Sequence, residues 1–235
     1  MQIARSDANR VCSESEVLAE LLDFTSARIV ELGCGQAEYA RRIARDHPTA
    51  TFVASEVDRI QHAANLAAGG PPNLRFADFG AEQIPLPAGT IDIVLLFKSL
   101  HHVPRERLDD ALDEIARVLR PGGLAYVSEP VFAGDLNEII RVFNDEETVR
   151  ALAFDAVVRA VDRGALELVR QVFFAQPVAY RDFADFARRH FAVTHSERNL
   201  TDAQRAEVER RFNPHLGPEG ARFVRPMRVD LLRRA

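Results

Sequence analysis

The sequence predicts an α/β fold: a doubly wound, mostly parallel seven-stranded sheet with a helical cap, in a single domain spanning residues 1–235. Three observations predict it. Short apolar runs alternate with segments whose apolar residues recur at helical spacing, the rhythm of strand and crossover helix. The run "TIDIVLLF" is almost uninterrupted, as a parallel strand covered on both faces requires. The first apolar run leads directly into "ELGCG", two glycines one residue apart, a turn that opens into a helix and usually cradles a ligand.

Residues 15–24, "SEVLAELLDF", place Val17, Leu18, Leu21 and Leu22 on one helical face, with Ser13 or Ser15 as N-cap. "ARIVEL" is the first strand and "EYARRIARDH" the helix after the glycine turn. "ATFVAS" is the second strand, followed by the helix "DRIQHAANLAA", which Gly69, Gly70, Pro71 and Pro72 stop. "NLRFAD" and "TIDIVLLF" are the third and fourth strands. In "RERLDDALDEIARVLR", Leu108, Leu112, Ile115 and Leu119 form a helical stripe that ends at "PGG", and "GLAYVSEP" is the fifth strand. From about Gly134 to His190 helix is expected to follow helix with no strand, and this stretch reads as a helical cap. Two strands, "FAVTHSERN" and "ARFVRPMRVDLL", then flank the helix "TDAQRAEVERRF".

A net charge of -5 lacks the basic surface that nucleic-acid binding normally needs. Two cysteines, Cys12 and Cys34, cannot form a disulfide framework, which fits a cytoplasmic protein, and Cys34 reads as a small buried filler. "MQIARSDANRVCSESE" has no signal-peptide core and no apolar run approaches membrane-spanning length. No cluster with metal-ligand spacing stands out. A homodimer is compatible with a sequence that fixes no oligomeric state.

Ligands on an open parallel sheet collect beyond the carboxyl ends of the strands, where Gly33 and Gly35 stand. A dinucleotide fingerprint would place a third glycine where this chain has Glu38, and that carboxylate would repel a pyrophosphate. The turn therefore suits a ligand with positive charge and no phosphate, such as S-adenosylmethionine. Glu31 is placed to receive its ammonium directly or through water. Glu56, 23 residues after Gly33, closes the second strand, where a carboxylate can accept from both ribose hydroxyls.

Three stretches, "VELGCGQAEYA", "GAEQIPLPAGTIDIVLLFKSLHHV" and "EIARVLRPGGLAYVSEP", give the chain a resemblance to class I S-adenosylmethionine-dependent methyltransferases, of the small-molecule group that includes ubiquinone-biosynthesis-type enzymes. The resemblance covers roughly residues 28 to 130. It implies a Rossmann-like methyltransferase fold, S-adenosylmethionine as cofactor and a small metabolite or natural product as acceptor, methylated on oxygen, nitrogen or carbon. It assigns Glu31, Gly33 and Gly35 to the methionine end of the cofactor, Glu56 to the ribose, and Gly80 and Ala81 to the adenine region. Gly80 stands where the family commonly has an acidic residue, so Asp78 or Glu82 is left to replace it, and Ala37 stands where a third glycine is common.

An acceptor that carries a proton needs a base, and "KSLHHVP" puts His101 and His102 beside the expected site of transfer. As neighbours on a turning backbone they should point in different directions, so that at most one meets the acceptor. Lys98, the only lysine among the 30 Lys and Arg residues, falls in the same segment and is counted with the cofactor-binding residues. Either it belongs to the pocket, holding an anionic group of the acceptor or a nearby carboxylate, or its ammonium lies in solvent. Phe143, Phe154, Phe173 and Phe174 either line an acceptor cavity or hold the cap together. Asn137, Asn144, Tyr180, Tyr126 and Glu129 are candidates for orienting the acceptor. Two other readings stay open: a regulatory protein that binds the cofactor without turnover, and an RNA methyltransferase.

Overall fold

The computed structural model describes residues 1–5, 10–191 and 200–235. Helix α1 (Glu14–Leu21) starts at a capping box in which the Ser13 hydroxyl accepts from the Glu16 amide and the Glu16 carboxylate accepts from Ser13. Then β1 (Arg28–Leu32), α2 (Glu38–Asp46), β2 (Thr51–Ser55), α3 (Arg59–Ala68), β3 (Leu74–Ala77), β4 (Ile91–Phe97), α4 (Leu108–Val118) and β5 (Leu119–Pro130) follow the alternation expected. The chain continues through α5 (Asp135–Ile140), α6 (Glu147–Asp162), β6 (Glu167–Tyr180), α7 (Phe183–Phe191), α8 (Asp202–Phe212), a two-residue strand β7 (Leu216–Gly217) and β8 (Gly220–Arg233).

The sheet order is β3-β2-β1-β4-β5-β8-β6, with β7 paired to β8. The first five strands are parallel, and β8 runs antiparallel between β5 and β6. Successive residues of a strand face opposite sides, and the two sides bury separate cores. Ile29, Ile93, Leu95 and Phe97 pack with α1 and α2, whereas Val30, Val94 and Leu96 pack with α4 and α6. That double cover explains why β4 had to be apolar throughout.

The expectation of helices alone between 134 and 190 is corrected by β6, a 14-residue edge strand. Its register along β8 runs from Glu167 opposite Arg233 to Tyr180 opposite Ala221. An edge strand is covered unevenly, so it shows no clean apolar period, and Pro177 is tolerated there. Its richness in β-branched and aromatic residues, "LVRQVFF", after the helix stop at Gly164, is the signal that would have found it. The N-terminal stretch covers part of its free edge, where the Cys12 amide donates to the Ala175 carbonyl and the Ala175 amide to that of Arg10. Most of "FAVTHSERN", read above as a strand, lies outside the described residues.

The ends of β6 and β8 extend past the main sheet, where Tyr180, Ala221 and Phe223 form a third core with Leu136 and Ile139 of α5, Phe186 of α7 and Phe212 of α8. This small aromatic cluster stands over the carboxyl end of the parallel strands.

Candidate active site

The strand order reverses between β1 and β4, and in open α/β sheets the ligand crevice lies outside the strand ends at that point. Gly33 follows β1 with φ +69°. A Cβ there would lie 2.8 Å from the Ser99 Cβ, because Ser99 reaches across from the end of β4 to donate to the Leu32 carbonyl at 2.7 Å. Gly35, φ +52°, differs: a Cβ on it would meet nothing within 4 Å, so its backbone borders open space. Ala37 takes the same left-handed conformation at the start of α2, φ +55°.

Two carboxylates hold or face this turn. Glu56 accepts from the Gly35 amide at 2.8 Å and from the Asp58 amide at 2.9 Å, so the residue expected to serve the ribose also fixes the cradle's shape. Glu31 is 1% exposed, and its Oε2 has no hydrogen-bond partner among the described residues. Burial, with Glu56 nearby, pushes its acid up to about 8. A buried carboxylate oxygen left without a donor is costly and calls for a cationic partner. The ammonium and ribose hydroxyls of S-adenosylmethionine match this donor-poor, acid-lined cradle; a pyrophosphate does not.

We expect Glu56→Ala to weaken S-adenosylhomocysteine binding by about 1.5–3 kcal/mol, the scale of charge-assisted hydrogen bonds, with the far-UV circular dichroism unchanged. Unchanged affinity in the folded variant would move the ribose contact elsewhere.

In the adenine region Gly80 is half-buried, and a Cβ on it would collide with the Glu82 carboxylate. Glu82 thus occupies the space that a side chain at 80 would fill, while the Ala81 methyl packs into the core beside Val30 and Leu32.

Beyond the ends of β4 and β5, beneath α5 and α7, lies a cavity of about 210 Å³. Lys98, His101 and His102 reach it, as do Asn137, Asn144 and Glu146. The expectation that the two histidines diverge is corrected. They sit on one turn of 3-10 helix, Leu100–His102, with ring centroids 4.1 Å apart, and both line the cavity. Phe143, Phe154, Phe173 and Phe174 are not among its lining residues. Phe143 instead stands edge-on to Phe186 and Phe191, Phe154 and Phe174 are buried, and Phe173 lies under the Arg5 guanidinium. Tyr126 donates to Glu14 at 2.6 Å inside the protein, and Tyr180 bonds His190 at 2.7 Å.

His101 is buried with its Nδ1 on Glu129 and its Nε2 3.7 Å from Glu146. Burial opposes its charge, yet the two carboxylates outweigh that and raise its pKa to about 9. Glu129 also accepts from the Leu100 amide at 2.9 Å, and Glu146 is held by Arg150 at 2.5 Å. His101, His102 and Glu146 bring one metal-ligating atom each within 4.8 Å of one another. Arg150 and the His101 proton already compete for those lone pairs.

Solved structures share this architecture. A Bacillus halodurans protein assigned as a methyltransferase superposes with a TM-score of 0.63 at 16% identity, covering 94% of this chain and 97% of its own. The cyclase SpnF gives 0.59 at 20%, covering 94% and 79%. Fold and cradle together define a Rossmann-like nucleoside-binding domain, a class that hosts more than one chemistry. Residues 29–123 match the sequence family described as a methyltransferase domain. The fatty-acid O-methyltransferase of Mycolicibacterium smegmatis is 31% identical over 172 residues, 68% of this chain and 59% of that enzyme, so the chain spans little more than half of that relative. Residues 29–123 thus carry a methyltransferase domain, and the chain is similar to class I S-adenosylmethionine-dependent methyltransferases.

Proposed function

We propose that this protein transfers the methyl group of S-adenosylmethionine to an oxygen, nitrogen or carbon of a small metabolite or natural product. The observation that carries the reading is the buried Glu31 carboxylate, whose Oε2 has no donor among the described residues, beneath the Gly33–Gly35 turn that Glu56 braces at the Gly35 amide. Relatives named as O-, C- and N-methyltransferases support the reaction class. The cavity beyond β4 and β5, next to the cradle, supports a small molecule as acceptor, and the acidic net charge weighs against nucleic acid. Two buried free thiols support a cytoplasmic setting, and no helix among the described residues is long and apolar enough to cross a membrane.

When bound, the cofactor supplies an activated methyl on a sulfonium. The chain's own part is positioning: methyl transfer is an in-line displacement, and holding the acceptor opposite the leaving sulfur is worth several orders of magnitude. Glu31 and Glu56 fix the donor, and the cavity residues fix the acceptor. His101, a buried cation whose charge Glu129 and Glu146 offset, has no lone pair to offer as a base at neutral pH. His102, exposed at the same cavity, keeps the proton-accepting part for acceptors that carry a proton.

Calorimetry with S-adenosylhomocysteine and NAD, followed by methyl-labelled cofactor added to the protein in cell extract, tests the reading. S-adenosylhomocysteine should bind tighter than NAD, and label should appear in small molecules. Tighter binding of NAD, or label confined to nucleic acid, would overturn it.

A further inference from the structure

We propose that the acceptor cavity is built for an anionic molecule with a small apolar body, whose carboxylate or phosphate sits between Lys98 and Arg225. The inference rests on the methyl-transfer reading of the same site.

Most of the cavity's charged and polar groups have counterparts within the protein. Arg150 and Asn144 hold Glu146 at 2.5 and 2.6 Å, His101 spans Glu129 and Glu146, and His190 meets the Tyr180 hydroxyl. The side chains of Lys98 and Arg225 are the exceptions. Both line the cavity, both are only partly exposed, and neither makes a hydrogen bond or ion pair with another described residue. The acids that attract Lys98 from beyond ion-pair distance include Glu14, already bonded to Tyr126, and Glu129, already committed to His101 and the Leu100 amide.

Two like charges turned into one small space are each disfavoured by lost hydration and by the other. Burial pushes both below their ordinary ranges, and Arg225 adds to the effect on Lys98. With His101 and Arg150 offsetting Glu146 and Glu129, no carboxylate among the described residues forms an ion pair with Lys98 or Arg225, and an anionic occupant would supply that counter-charge. Arg225 offers a planar fork that matches a carboxylate or phosphate, and Lys98 a compact point charge. Lys98 stands at the end of β4 in a left-handed conformation, φ +55°, with its amide bonded to the Ser128 carbonyl at 2.7 Å, so its origin is fixed beside the cradle. Val131, Leu136 and Ile140 supply an apolar wall for the rest of the molecule. A lone lysine in an arginine-rich chain thereby has a use where a broad guanidinium would be hard to fit.

Octanoate, octyl phosphate and octanamide share a body and differ in head, so calorimetry of each against the protein saturated with S-adenosylhomocysteine isolates the charge. At least one anion should bind about tenfold or more tighter than octanamide, a gap of about 1.4 kcal/mol. The anion that binds tighter names the head group. The preference should fall to near unity in Arg225→Met and in Lys98→Met, whose side chains keep similar length. Equal binding of all three probes, binding of none, or a preference that survives both substitutions would overturn the proposal. A second arm compares S-adenosylhomocysteine with 5′-methylthioadenosine, which has no carboxylate. If Lys98→Met weakens the first and spares the second, Lys98 serves the cofactor's carboxylate and its assignment to the acceptor is wrong. Failure of S-adenosylhomocysteine to bind the wild-type protein would count against the methyl-transfer reading instead, and the anion titrations repeated without it would still decide the cavity's charge preference.

Discussion

Replacing Gly33 by alanine is expected to destabilise the protein by about 2–5 kcal/mol and to reduce S-adenosylhomocysteine binding more than about tenfold. The left-handed backbone alone costs a non-glycine residue roughly 1–2 kcal/mol. The added methyl would also stand 2.8 Å from the Ser99 Cβ, and forcing atoms into a packed site costs roughly 1–3 kcal/mol more. Ser99 cannot retreat freely, because its hydroxyl is tied to the Leu32 carbonyl. Gly35→Ala is the informative comparison. It shares the positive φ but faces open space, so it should cost about 1–2 kcal/mol of stability while its methyl intrudes on the cofactor. Urea denaturation and calorimetry read both effects. Equal stability losses in the two variants would show that the contact with Ser99 does not set the requirement at 33.

Glu31→Gln is expected to move stability and binding in opposite directions. The acid's folded-state pKa is raised from 4.5 to about 8. Its contribution to stability is therefore complete below about 4.5, declines as pH rises, and is gone above about 8. Glutamine does not titrate, so between pH 5 and pH 8 the empty variant should gain on the wild-type protein, by no more than about 3–5 kcal/mol. Binding should suffer instead. At pH 8 S-adenosylhomocysteine should bind the variant about 1.5–3 kcal/mol more weakly, for want of a carboxylate to receive its ammonium. Wild-type affinity should rise with pH up to about 8 as binding expels the Glu31 proton, visible as proton release when calorimetry is run in buffers of different ionisation enthalpy. The same proton release in Glu31→Gln would place the titrating group elsewhere.

Much of the molecule is legible from local pattern alone. Strands β1 to β5, helices α1 to α4, α8 and strand β8 follow from periodicity, caps and stops, because those signals reside in neighbouring residues. The cradle is legible for the same reason, since Glu31, Gly33 and Gly35 share one strand-to-turn segment and Glu56 closes the next strand. What only the tertiary structure decided is who meets whom. An edge strand such as β6 is held by its partner β8 rather than by a period of its own, so Pro177 and an uneven burial pattern disguised it. The character of His101 depends on Glu129 and Glu146, neither of them near it in sequence; they turn a candidate base into a buried cation. Lys98 and Arg225 come from opposite halves of the chain, on β4's end and on β8, and they line one cavity, neither in an ion pair with a described residue, only once β8 is inserted beside β5. Periodicity is a property of the one-dimensional chain, whereas burial and charge pairing belong to the folded surface that long-range packing creates.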